Sequence, residues 1–143
     1  MASPSEHLKN ILVTAGIGAF GGVLPWAIYI SKMPDTPDAC ITLYDSGGET
    51  PNPAWLLDFP SVQVRLRAGE NDYQALYQKV KDIVDALLGY PSTDVSDGRL
   101  VSIRMDGGPA FLGYEEKKRP QFSINWTLIF EPNTSALTNR ESL

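Results

Sequence analysis

Residues 59–89 read FPSVQVRLRAGENDYQALYQKVKDIVDALLG, and this stretch decides the fold. Its first part predicts a strand over Ser61 to Arg67. Val62, Val64 and Leu66 alternate with Gln63, Arg65 and Arg67, so one face is apolar and the other polar. A helix follows from Asn71 to Leu88. Asn71 stands at the cap position and Asp72 at the positive end of the helix dipole. Tyr73, Leu76, Tyr77, Val80, Ile83, Val84, Leu87 and Leu88 form one stripe at helical spacing. Gly89 and Pro91 end it. A stripe of this kind packs flat on a sheet, so the pair predicts a sheet covered by a helix.

Working outward, strands dominate on both sides. Trp26 to Ile30 and Cys40 to Tyr44 read as strands before this unit, separated by a turn at Met33 to Asp38 that contains Pro34 and Pro37. Leu100 to Met105, Ala110 to Tyr114 and Gln121 to Phe130 read as strands after it. Asp106, Gly107 and Gly108 are expected to turn a hairpin between the first two of these. Glu115 to Arg119 forms a charged hairpin tip before the last. In that last strand Phe122, Ile124, Trp126, Leu128 and Phe130 share one face. A first helix begins near Ser3 or Ser5, carries Leu8, Ile11, Leu12 and Ala15 on one face, and is expected to stop at Gly21 and Gly22. The fold class is therefore α+β: a mostly antiparallel sheet packed by one long amphipathic helix plus an N-terminal helix. One domain spans residues 1–131, and residues 132–143 read as a flexible tail.

Bulk properties narrow the function. The chain has 143 residues, 43% hydrophobic and 20% charged, with a net charge of −5. That balance suits one globular domain and opposes tight nucleic-acid binding, which needs Lys and Arg against phosphate. Residues 11–30 carry no charge, about the length of a membrane span. Gly16, Gly18, Gly21, Gly22 and Pro25 divide that run into helix, break and strand, so no membrane partner is expected. The single cysteine, Cys40, lies in an apolar strand and reads as a small buried hydrophobe.

Catalytic constellations are missing from the pattern. His7 is the only histidine. It sits in the first helical turn, where exposure is the default and no neighbouring carboxylate orients it. One His and one Cys cannot make a structural zinc site. Asp94, Asp97 and Asp106 lack calcium-loop spacing and read as turn residues. The run GIGAFG at residues 16–21 matches a dinucleotide fingerprint in letters only, because it ends a helix and precedes a strand. Glu115 and Glu116 are adjacent but sit among Lys117, Lys118 and Arg119. No cofactor and no metal are expected. A small hydrolase is the alternative from another class, and no nucleophile–base pair recommends it.

Residues 45–60 form the longest irregular stretch, with five Gly and Pro residues and four large apolar ones. Trp55, Leu56, Leu57 and Phe59 are either folded onto the core or offered to a partner. With Arg65 and Arg67 on the polar strand face, they are the candidate protein-interface residues.

Several segments in order carry a family resemblance. Residues 24–48 read LPWAIYISKMPDTPDACITLYDSGG: a strand, then P-D-x-P-D, then a strand ending in Tyr-Asp-x-Gly-Gly. FPSVQVRLR at 59–67, the Tyr73–Leu88 helix and RPQFSINW at 119–126 continue it. In this order they resemble the minor capsid or tail terminator proteins of long-tailed bacteriophages. The resemblance implies a virion protein at the head–tail junction, assembled in the host bacterial cytoplasm. Such proteins form a ring, typically a hexamer, that caps the tail tube, stops its polymerisation and meets a head-side connector or stopper protein. DNA passes through the lumen without specific binding. A head-completion or connector protein of the same neck is the alternative.

Overall fold

The computed structural model describes residues 2–21 and 26–143. Gly22, Leu24 and Pro25, named above, lie outside the described residues. Two helices and eight strands make an α+β fold with a mostly antiparallel sheet.

Helix α1 runs Pro4–Thr14. Ser3 caps it: its hydroxyl accepts from Glu6 N at 3.2 Å, and Ser3 N donates back to Glu6 Oε1 at 3.3 Å. Pro4 takes an early position where its missing N–H costs nothing. The helix ends at Thr14, short of the expected Gly21, because Gly16 already adopts φ +75° just past the cap residue Ala15. Two edge elements follow, β1 (Ala19–Phe20) and β2 (Ala27–Ile30), paired in parallel. Gly18 lets them meet, since a Cβ there would sit 2.6 Å from the Trp26 carbonyl oxygen. Close packing at Gly18 and positive φ at Gly16 and Gly21 account for the glycine run that mimics a nucleotide loop. Among the described residues no helix is long and apolar enough to cross a membrane.

Strand β3 runs Cys40–Glu49, five residues beyond the expected end at Tyr44. It pairs in parallel with β2 and antiparallel with β4 (Phe59–Arg67). A bulge between Ser46 and Glu49 carries the extension. Gly48 is required there: φ is +76°, and a Cβ would lie 2.2 Å from the Phe59 carbonyl oxygen. The irregular stretch expected from Asp45 to Pro60 therefore shrinks to residues 50–58.

Helix α2 runs Tyr73–Leu87, fifteen residues against eleven for α1, so neither dominates. Its cap is Asp72, which accepts from Ala75 N at 3.2 Å, while the expected cap Asn71 sits one residue earlier with φ +56°. Three strands follow: β5 (Thr93–Val95), β6 (Gly98–Met105) and β7 (Ala110–Tyr114). The last strand, β8 (Pro120–Pro132), is the spine of the sheet. One side of β8 pairs with β4. Its other side pairs with β6 along Trp126–Pro132 and with β7 along Pro120–Ser123. So β6 and β7 do not form the expected hairpin. They lie end to end against one partner, and the Asp106–Gly108 segment is a detour within that line. Asp106 N donates to Asn125 O, and Asp106 accepts from the Thr127 hydroxyl, which holds the detour to β8.

The sheet order is β1-β2-β3-β4-β8-β6-β5, with β7 beside β8. Leu8 and Leu12 of α1, and Leu76, Val80, Ile83 and Leu87 of α2, bury fully with the strand residues Val64, Leu66, Ile124 and Trp126. Each such side chain contributes about 1.5–3 kcal/mol. Residues 132–143, read from sequence as a flexible tail, begin with the last residue of β8 and then return to the 50–58 loop. Glu141 N donates to Ala54 O at 2.9 Å, and Leu56 N donates to Glu141 O at 2.8 Å.

Candidate assembly interface

The six residues singled out from sequence do not share one surface. In the 50–58 loop, Asn52 Oδ1 accepts from Ala54 N at 2.8 Å and Trp55 N at 3.0 Å, which shapes a tight turn. Arg140 then clamps it, with Nη1 2.7 Å from Asp58 Oδ1 and 3.1 Å from Asn52 O. The result buries Leu56, half-buries Leu57 and Phe59, and leaves Trp55 43% exposed. The loop folds back on the chain and leaves one tryptophan exposed.

Arg65 is half-buried and Arg67 is buried, at 4% exposure. A basic outer face on β4 is therefore wrong for Arg67, and the reason is local. The Pro34–Asp38 turn folds over it. Arg67 donates to the carbonyl oxygens of Pro34 (2.7 Å), Asp35 (3.2 Å), Pro37 (2.8 Å) and Asp38 (2.9 Å). Those carbonyls lack a strand partner, so the guanidinium satisfies them.

Arg119 completes the clamp from the β7–β8 hairpin. It is 3% exposed and makes a two-pronged contact with Glu115, at 2.9 Å to each oxygen. Its other nitrogen–oxygen contacts are Asp35 Oδ1 at 3.0 Å, Asp38 Oδ1 at 3.0 Å and Asp35 O at 2.6 Å. Donation from Arg119 holds Glu115 down at about 2. The same guanidinium is pushed above its ordinary value, chiefly by Glu115. Hydrogen bonds from Lys117 and then Arg119 lower Asp35 as well. Glu115 therefore stays ionised at neutral pH and has no proton to give as a general acid. The P-D-x-P-D motif is a structural latch, which sequence reasoning missed. The signal was present: an acidic turn, and an arginine placed before Pro120 among charges that do not cancel locally.

An apolar surface forms where α2 meets β7. Tyr73 and Tyr77 stack at 6.2 Å between ring centres, Phe111 meets Tyr73 edge-on at 5.4 Å, and Phe122 lies beneath. Tyr73, Tyr77, Phe111, Leu112 and Tyr114 are each 40–51% exposed. The first two belong to the stripe read as core. They lie at the margin of the stripe, with one side of each ring on Phe122 and the rest exposed, while Leu76 between them is fully buried.

His7 is the clearest reversal. It is buried, its ring lies 5.3 Å from Phe130, and its Nε2 is 3.1 Å from Asp97 Oδ1. That distance suits an ion pair, although the two atoms are not aligned as a hydrogen bond. Ala2 N donates to Asp97 Oδ2 at 3.0 Å. The pair ties α1 to the β5–β6 turn beside a groove of about 320 Å³ lined by Pro4, Phe59, Leu128 and Phe130. The sequence hid it because the partners are ninety residues apart. No hydroxyl or thiol is hydrogen-bonded to His7 among the described residues, so no nucleophile is activated there. Asp94 pairs with Arg99 and Asp106 with Arg104, at 3.5 Å each. Among the described residues no three acidic, His or Cys groups could hold a metal together.

A family model described as bacteriophage tail terminator protein matches residues 11–132. The chain belongs to that family. No curated protein matches it. The tail terminator match takes in the Arg67–Arg119 latch and the α2–β7 aromatic surface. It leaves out His7 and the Ser3 cap, so these are features of this terminator outside the matched span. Tail terminators are structural components of the virion.

Proposed function

We propose that the chain closes into a ring, a hexamer by family resemblance, that sits on the end of the tail tube, stops its polymerisation and presents a surface to a head-side connector. One observation carries this reading: four aromatic side chains, Tyr73, Tyr77, Phe111 and Tyr114, are half-exposed in mutual contact on the α2–β7 corner, with half-exposed Leu112 in the same strand. A monomer gains nothing from leaving them in water, whereas a subunit contact buries them. Trp55, held out by the Asn52 turn and the Arg140 clamp, is a second contact, toward the tube or the connector. The net charge of −5 favours a lumen past which DNA slides without sticking. A strongly basic channel wall in the assembled ring would refute that last point.

The experiment is electron microscopy of particles from a phage lacking this gene. Tails of uncontrolled length support a terminator. Tails of normal length that fail to join heads support a connector of the same neck instead.

A further inference from the structure

We propose that the subunit contact runs between two edges on opposite sides of the sheet, with the outer edge of β7 of one copy lying along the part of β2 that β1 does not pair with in the next. This rests on the ring reading above and names its surface.

Strand β7 is Ala-Phe-Leu-Gly-Tyr, with no charge and no proline, and it pairs only with β8. Its outer backbone edge has no hydrogen-bond partner among the described residues. Proteins normally blunt such an edge with charge, proline or brevity. The β5 edge of this sheet is blunted so: three residues, an exposed Asp94, and Arg99 beside it. The β7 edge has no charge or proline and is interrupted only by a bulge at Leu112, before Gly113 at φ +90°; Phe111, Leu112 and Tyr114 are half-exposed along it.

At the opposite edge, β1 pairs with only Ala27 and Ile28 of β2. Among the described residues, Tyr29 and Ile30 pair on their β3 side alone. Beside them lies a hollow of about 320 Å³, lined by Phe20, Tyr29, Ile30, Lys32 and Pro34. Phe20 is half-exposed. One edge of the sheet thus projects apolar side chains and the other receives them.

A second copy of this chain is the occupant that uses both edges. Edge pairing satisfies the bare backbone groups of β7, and the hollow takes its side chains. Projection against hollow is a head-to-tail contact, the kind a ring requires when its rotation closes, whereas β7 against β7 sets projection against projection. Charge agrees. Lys32 at the hollow has no acidic partner among the described residues. Exposed Glu116 follows β7, and its neighbour Lys117 is already paired with Asp35 at 2.6 Å.

The test is cysteine cross-linking with a short bismaleimide on particles carrying the variants. Cys40 can stay, because it is buried and its thiol is pushed up by desolvation. A chain with both Leu112→Cys and Lys32→Cys should give a ladder of multimers. A mixture of the two single variants should give dimers containing one of each, and either single variant alone should give none. Phe20→Cys in place of Lys32→Cys reads the same contact if the first pair folds poorly, and Leu88→Cys, outside both edges, is the negative control. Self-dimers of Leu112→Cys would overturn the head-to-tail contact. Tails of normal length with no product from either pair would overturn it too, yet leave the ring reading standing. The ring reading falls separately, if particles lacking the chain keep their tail length.

Discussion

The Pro34–Asp38 turn and the α2–β7 corner flank the same hairpin, and they are built in opposite ways. The turn is polar and closed. Its carbonyls and carboxylates are met by Arg67, Arg119 and Lys117 of the same chain. The corner is apolar and open, with aromatic rings stacked on one another and half of each left in water. A reading by residue type alone would place contacts at the charges and core at the aromatics. Here the charges hold the chain together, and the aromatics are left half-exposed, which is why they are the proposed contact.

Four perturbations sharpen this contrast. The largest effect lies within one helix. Leu76→Ala should cost about 3 kcal/mol, since Leu76 is fully buried, whereas Tyr77→Asp at the next position should cost only about 0.5 kcal/mol. Urea unfolding of both variants measures the gap, and equal costs would erase the distinction between core and corner. Next comes the latch. Arg119→Ala leaves Asp38 and Glu115 without their cation and Asp35 with Lys117 alone, and should cost about 2 kcal/mol, held low because the two aspartates are largely exposed. Arg119→Lys should recover only part of this, because one ammonium cannot reproduce the two-pronged contact with Glu115 while reaching both aspartates.

Acid should then act on the turn and spare the corner. The folded values of Glu115, at about 2, and Asp35 are depressed below their ordinary range. Their contribution to stability is therefore complete above roughly pH 4.5 and is lost as pH falls toward 2. Thermal unfolding across that window should show the decline, and Glu115→Gln should flatten it. A Glu115→Gln profile that matches wild type would remove the latch from the account. The smallest effect on folding belongs to Leu112→Asp, which should leave stability within about 0.5 kcal/mol of wild type while abolishing assembly. Thermal scans together with particle composition measure the two.

Local patterning carried much of the fold. The Val62–Val64–Leu66 alternation, the α2 period and the Phe122–Leu128 face describe the β4, α2 and β8 that form the core. What failed depended on partners distant in sequence. His7 looked exposed because Asp97 lies ninety residues away. Arg67 looked like a surface cation because only the folded turn supplies its carbonyl acceptors. The β6–β7 pair looked like a hairpin because glycine after aspartate favours turns, yet β8 is long enough to pair with both strands end to end. Of the six interface residues, Trp55 alone is strongly exposed. Tyr73 and Tyr77 were legible only in hindsight, as tyrosines standing where the rest of the stripe has aliphatic residues.

The central claim joins the open corner to the termination of tails. Its most direct test is the length distribution, by electron microscopy, of tails built with the Tyr77→Asp/Leu112→Asp variant in place of the natural chain. The account predicts a variant that melts at the wild-type temperature and tails whose length is no longer controlled. Tails of wild-type length from that same folded variant would contradict it.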